Sequence, residues 1–160
     1  MRRRTLLAGA ALVGAAPFAA KAATAASVSI AERFAEAVNA HDLIAFAALF
    51  AENYVNHQVS AAAPPPKGVI PKTATVGLFD TRLKALPDLK VSVQASLAEN
   101  DLVAASFAYE GTHQGVYLGF EPTHKRLAFT SCDIFRVAGG QIVEHWGMSD
   151  IAGIIAQLKG

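Results

Sequence analysis

Residues 125–148 read KRLAFTSCDIFRVAGGQIVEHWGM, and this stretch decides the fold. Leu127, Phe129, Phe135 and Val137 recur at every second position, the period of a β-strand with one buried face. Gly139-Gly140 follows, a two-residue hairpin signal, and Gln141 to Met148 returns as the last strand. Strands joined by so short a turn must be antiparallel neighbours. The face that carries Leu127 and Phe129 also carries Ser131 and Asp133. A carboxylate inside an apolar face is costly unless it is paired or hydrogen-bonded. Such an Asp serves as a general acid or base, or its strand face looks at solvent, or it binds a nearby arginine for structure. Alternation alone leaves the three open.

Working outward, Leu102 to His113 is a second long strand, with Val103, Ala105, Phe107, Tyr109 and His113 on one parity. Leu89, Val91 and Val93 begin another, and Glu99-Asn100-Asp101 is the turn between them. Gly115 to Thr123 is a loop. Before Leu89 the period lengthens to that of a helix. Ser27 to Asn39 places Ile30, Phe34, Ala37 and Val38 on one face, with Ser29 and Glu32 as a capping box at its start. Asp42 caps a short helix carrying Leu43, Phe46, Ala47, Leu49 and Phe50. Tyr54 to Val59 is a short extended piece, and Ala61 to Pro66 a proline-rich loop. Lys72 to Leu86 is helical, with Val76, Phe79, Leu83 and Leu86 in one stripe, and Ile151 to Leu158 is a final helix. Helices grouped ahead of antiparallel strands predict an α+β domain, its helices on one face of the sheet. A curved sheet with helices over its concave side leaves a pocket between the layers.

The N-terminus is a different kind of segment. Arg2, Arg3 and Arg4 precede an apolar run from Leu6 to Ala20, and Ala20-Lys21-Ala22 has the small-x-small pattern of a signal peptidase site. Arg3-Arg4-Thr5-Leu6-Leu7 resembles a twin-arginine export signal. Residues 1–22 are therefore predicted to be an export signal, with residues 23–160 as the mature domain in the periplasm or outside the cell. The apolar run is about 15 residues, short of the ~20 that span a bilayer, so no stable membrane insertion is expected after cleavage. The whole chain of 160 residues has a net charge of +1, which argues against nucleic acid as a partner. Cys132 is the only cysteine, so no internal disulfide forms, and its place in an apolar strand predicts a buried, inert thiol.

His41, His57, His113, His124 and His145 are dispersed, with no HExxH or close His-x-His pair, so no metal is expected. Phosphate-cradling glycine motifs and the GxSxG elbow are absent, so no cofactor is expected either. His113 stands where a strand gives way to a glycine-bearing loop, a normal place for a functional side chain. Tyr54, Asn56 and His57 crowd into four residues, with Tyr54 and Asn56 on one strand face and His57 on the other. Trp146 shares a parity with Ile142, Glu144 and Met148 and reads as a wall of the pocket or core.

Five segments together resemble a known family. They are Glu52-Asn53-Tyr54-Val55-Asn56-His57, Leu86-Pro87-Asp88, Gly111-Thr112-His113-Gln114-Gly115, Asp133-Ile134-Phe135-Arg136-Val137 and Gln141-Ile142-Val143-Glu144-His145-Trp146. They look like the motifs of the SnoaL-like polyketide cyclase (ester cyclase) family, within the nuclear-transport-factor-2-like superfamily, over roughly residues 28 to 158. The resemblance implies a conical α+β sheet around a deep apolar pocket, in a homodimer or larger homo-oligomer. It implies a cofactor-free cyclase or isomerase acting on a small apolar or aromatic carbonyl compound. Asp133 is then the candidate general acid/base, with His113 beside it as a second catalytic candidate. Asn56, His57, Tyr54, Trp146 and Phe135 are the substrate-binding candidates. His124 stands where the family's loop usually has Gly, and Gly147 where an acidic residue is common. Two functions fit: a cofactor-independent lyase or isomerase, and a non-catalytic periplasmic binding protein for a small apolar ligand. The state of Asp133 discriminates them, since a salt bridge to Arg136 or Arg82 would mark a structural role.

Overall fold

The computed structural model describes residues 25–58, 64 and 66–160, with side chains from residue 30 onward. The expected export signal, residues 1–22, lies outside the described residues. Two helices open the described chain, α1 (Ala25–Asn39) and α2 (Leu43–Ala48), followed by strand β1 (Phe50–Asn56) and helix α3 (Pro71–Ala85). Four strands come next: β2 (Lys90–Glu99), β3 (Leu102–Thr112), β4 (Arg126–Ala138) and β5 (Gln141–Ser149). Helix α4 (Ile151–Lys159) ends the described chain. Asp42 caps α2 as expected, accepting from the amides of Ile44 and Ala45. Ser29 falls inside α1, which is already helical at Ala25, so the predicted capping box is not its start.

The strands form one sheet in the order β1-β5-β4-β3-β2. β2 to β5 are antiparallel neighbours, and β1 joins the edge parallel to β5. That parallel pairing is possible because α3 and three strands intervene, a crossover far longer than a hairpin. Helices α1, α2 and α3 cover the inner face of the curved sheet; α1 does so with an apolar stripe, whereas α3 turns in a mixed face of Thr75, Phe79, Arg82 and Leu83. Phe34 of α1 holds the two layers together. Its ring lies 5.1–5.8 Å from those of Phe46, Phe79, Phe107 and Phe135, which come from α2, α3, β3 and β4. Asn39 ties α1 to β2 by exchanging two 2.8 Å hydrogen bonds with the backbone of Val91.

On β4 the alternation is complete: Leu127, Phe129, Ser131, Asp133 and Phe135 face inward, and the residues between them face out. Cys132 is thereby placed on the outer face and is exposed, not buried as expected. An inward Asp133 forces its neighbour outward, because strand side chains alternate strictly. On β5 the alternation breaks. Arg136 pairs with Glu144 but Val137 with Ile142, so Val143 is an extra residue and the strand is bulged there. Ile142 and His145, three apart, are therefore both buried. The Gly139-Gly140 turn has positive φ at both residues (57° and 79°), as a two-residue hairpin loop requires.

Candidate functional site

Between the sheet and α3 lies a cavity of about 500 Å³. Asp133 stands on its sheet wall and is 7% exposed. One carboxylate oxygen, Oδ1, is 2.7 Å from His145 Nε2. The other, Oδ2, accepts from Ser131 Oγ at 2.5 Å. His145 Nδ1 is in turn 3.1 Å from the Tyr54 hydroxyl. With a neutral imidazole these contacts have a single consistent polarity: Tyr54 donates to Nδ1, and Nε2–H donates to the carboxylate. Ser131 has one hydrogen and gives it to Asp133. The longer 3.4 Å contact between Ser131 and Tyr109 is then made by the Tyr109 hydroxyl donating to Ser131. His145 also packs against Phe135, with ring centroids 5.2 Å apart and 29° between planes. The carboxylate is thus fixed by two donors, while its Coulomb field reaches across the cavity.

Gly147 makes this contact possible. It lies directly opposite Asp133 in the β4–β5 ladder. A Cβ there would stand 2.5 Å from both Asp133 Oδ1 and His145 Nε2, inside contact distance of either.

The phenols of Tyr54 and Tyr109 are held neutral. Burial pushes the Tyr54 pKa up to about 12; the nearby Thr75 hydroxyl, short of good hydrogen-bond geometry, opposes this, and the Asp133 charge adds to it. Burial likewise raises Tyr109 to about 12 against the opposing charge of Arg82. Arg82 enters from α3. Burial lowers its pKa, but the Tyr117 and Tyr109 oxygens outweigh this and leave it above the usual arginine value.

The structure brings Asp133, Tyr54, Phe135 and Asn56 to this site; all but Tyr54 line the cavity, and Tyr54 reaches it through His145. Three other candidates are elsewhere. His113 is fully buried in the connection between β3 and β4, away from the cavity wall. Its Nδ1 accepts from the Thr123 amide at 3.1 Å and lies 3.0 Å from the Thr123 hydroxyl, so it anchors that loop. Trp146 and His57 are on the outer face, stacked with ring centroids 4.5 Å apart and 5° between planes. There His57 Nε2 bonds Glu144 at 2.8 Å. The β5 bulge explains the exchange: strict alternation from Ile142 points Trp146 inward, and the extra residue gives that side to His145. Arg136 pairs with Asp101 and Glu144, and Arg82 with the Tyr117 hydroxyl, so neither arginine bridges Asp133. His145, Ser131, Tyr109 and Arg82 were not singled out as site residues from the sequence. Ser131 and Tyr109 share the inward parity of Asp133 and Phe107, which was the signal available for them.

Among the described residues, no group of three or more His, Cys, Asp or Glu is placed to hold a metal ion. No described helix is long and apolar enough to cross a membrane.

The profile of SnoaL-like polyketide cyclases matches residues 28–158. The chain belongs to that family. Among solved structures, this SnoaL-like protein is similar to IdmH from Streptomyces antibioticus, a proposed polyketide cyclase. The two are 30% identical over 82% of this chain and 97% of IdmH, with a TM-score of 0.70. AclR from Streptomyces galilaeus, a proposed hydroxylase, is 27% identical over 82% of this chain and 79% of its own, also with a TM-score of 0.70. A proposed polyketide cyclase from Acidithiobacillus ferrooxidans is 19% identical over 85% and 96% of the two chains, with a TM-score of 0.71, and shares the fold. Among curated proteins no relative matches this SnoaL-like chain.

Proposed function

We propose that this SnoaL-like protein is a cofactor-free cyclase or isomerase acting on a small apolar or aromatic carbonyl compound, with Asp133 as its general acid/base. The observation that carries the reading is the Asp133 carboxylate on the cavity wall, held by His145 and Ser131 and by no arginine. Asp133 takes a proton from the carbon beside a carbonyl, and the electron pair moves to the carbonyl oxygen as an enolate. Asn56 and the Tyr117 hydroxyl, both on the cavity wall, supply donors to that oxygen. The enolate carbon bonds to a second carbonyl carbon of the same molecule, and the alkoxide so formed takes the proton back from Asp133. No group is consumed. His145, oriented by Tyr54, holds the carboxylate in place and shares its charge. The family and the likeness to IdmH support a cyclisation; the likeness to AclR supports only that the scaffold hosts other chemistry.

Asp133→Asn keeps the shape and removes the base. Once a substrate is found, kcat should fall about 10²–10⁴-fold with ligand binding kept. An unchanged kcat removes Asp133 from the chemistry. Binding without turnover across a carbonyl panel identifies a binding protein instead.

We further propose that the chain is exported after cleavage near Ala22 and works as a homodimer. The Arg-rich start and Ala-Lys-Ala order support export. Exposed Leu97 (76%), Met148 (77%) and Ile134 on the outer face of the sheet support a seat for a second copy.

A further inference from the structure

Helix α3 lines the cavity with Thr75, Phe79 and Arg82. Spacings of four and three residues keep them on one helical face, spread over roughly 10 Å at ~1.5 Å per residue. Arg82 is 4% exposed. Its Nε donates to the Tyr117 hydroxyl at 3.0 Å. Its guanidinium carbon lies 4.7 Å from the ring centre of Phe79, 5.4 Å from that of Tyr109 and 5.5 Å from that of Phe129. Among the described residues, the other acids bond elsewhere or lie apart, and none forms an ion pair with Arg82. Asp133, the acid of the same cavity, gives its oxygens to Ser131 and His145. At the far end of the same wall, the Thr75 hydroxyl is buried with no hydrogen-bond partner.

A buried cation with no direct ion-pair partner is costly, and the Asp133 charge reaches Arg82 only across the cavity. Three ring faces and one hydroxyl offset part of that cost, and the Nη pair bonds no described side chain or backbone. The fork of a guanidinium matches the two oxygens of a carboxylate. We propose that the substrate carries a carboxylate, bound by the Nη pair of Arg82, and lies along α3 with its reacting carbonyl toward Asp133. This deepens the function proposed above and rests on it for where the reacting end lies. An ester or amide would leave the Arg82 Nη pair without a direct ion-pair partner, so the acid is favoured over its neutral derivatives. Asp133 repels a second anion in the same cavity, which tempers the affinity without reversing the preference.

The test is calorimetric titration of the wild-type protein with benzoylpropionate, an aryl keto acid, and with its methyl ester. The acid should bind on the order of 10–100-fold more tightly, the range for hydrogen bonds to a charged group. Arg82→Met, which keeps an aliphatic stem against Phe79 and Tyr109, should bring the two ligands to within about twofold. Asp133→Asn should keep the preference and enlarge it. A co-crystal structure of the wild-type protein needs no variant, and should place both carboxylate oxygens on Nη1 and Nη2. Equal affinities, tighter binding of the ester, binding of neither, or a carboxylate seated elsewhere each overturn the proposal. Should Asp133→Asn leave kcat unchanged while the acid preference stands, the catalytic reading fails and the anion site does not.

Discussion

Gly147 shows how one missing side chain sets the geometry of a site. A methyl group at this position collides with both members of the Asp133–His145 contact, so one of them has to move. We expect Gly147→Ala to fold and to bind ligand, because the change is one methyl group on a strand. It should lose most of the activity lost in Asp133→Asn. The check is the His145 ring proton resonance by NMR, which should shift in Gly147→Ala; an unmoved resonance with full activity refutes the role. At this scale the sequence was informative where one parity decided the matter. Asp133, Phe135, Tyr54 and Asn56 follow from alternation. His113 does not, because its ring is captured by Thr123 within its own loop, a contact that no periodicity encodes.

At the scale of elements, helices and strands were legible from their periods, and their ends were not. Phe50 reads as the end of a helix, yet it opens β1 and pairs with Ile142. Its partner is 92 positions away, and local propensity carries no trace of a partner so remote. The bulge on β5 was hidden for a similar reason. Nothing in Gln141-Ile142-Val143-Glu144 demands an extra residue until β4 is laid beside it. The strands also carry the titration behaviour of the fold. Tyr54 on β1 and Tyr109 on β3 have pKa values raised to about 12 from the usual 10.0. The folded state therefore favours their neutral forms. Their contribution is complete below pH ~10, the value in the unfolded chain, and is lost as pH rises toward 12. Urea unfolding followed from neutral to alkaline pH should show stability falling above that point. Tyr109→Phe should flatten the fall, and a profile independent of pH there would contradict it.

For the whole molecule, the inner and outer faces of the sheet differ in what they present. The inner face carries the cavity; the outer face carries Leu97, Ile134, Met148 and Cys132 around a second hollow of about 520 Å³. A proposed dimer through this face predicts that Leu97→Asp with Met148→Asp halves the mass measured by sedimentation. The same double variant should expose Cys132 to a thiol reagent that reacts slowly with the wild-type protein. A wild-type monomer would end that proposal. The proposed export predicts a first residue near Ala23 when protein from the native cell is sequenced from its N-terminus. An intact chain beginning at Met1 would contradict it.

The parallel edge has a consequence for how the molecule assembles in time. β2, β3, β4 and β5 are joined by two hairpin turns and one loop, so their pairings close over short spans of chain. β1 reaches β5 across the whole of that region, and the Tyr54–His145 bond links residues 91 apart. Long-range closure is entropically slower to achieve than local pairing. Contact order therefore predicts that the meander forms first and that β1 docks onto a sheet already made. Without β1, His145 lacks the Tyr54 hydroxyl that orients its ring, and the cavity lacks the wall that carries Asn56. On the proposed chemistry, a state that has lost β1, however native its meander, would lack groups the reaction needs.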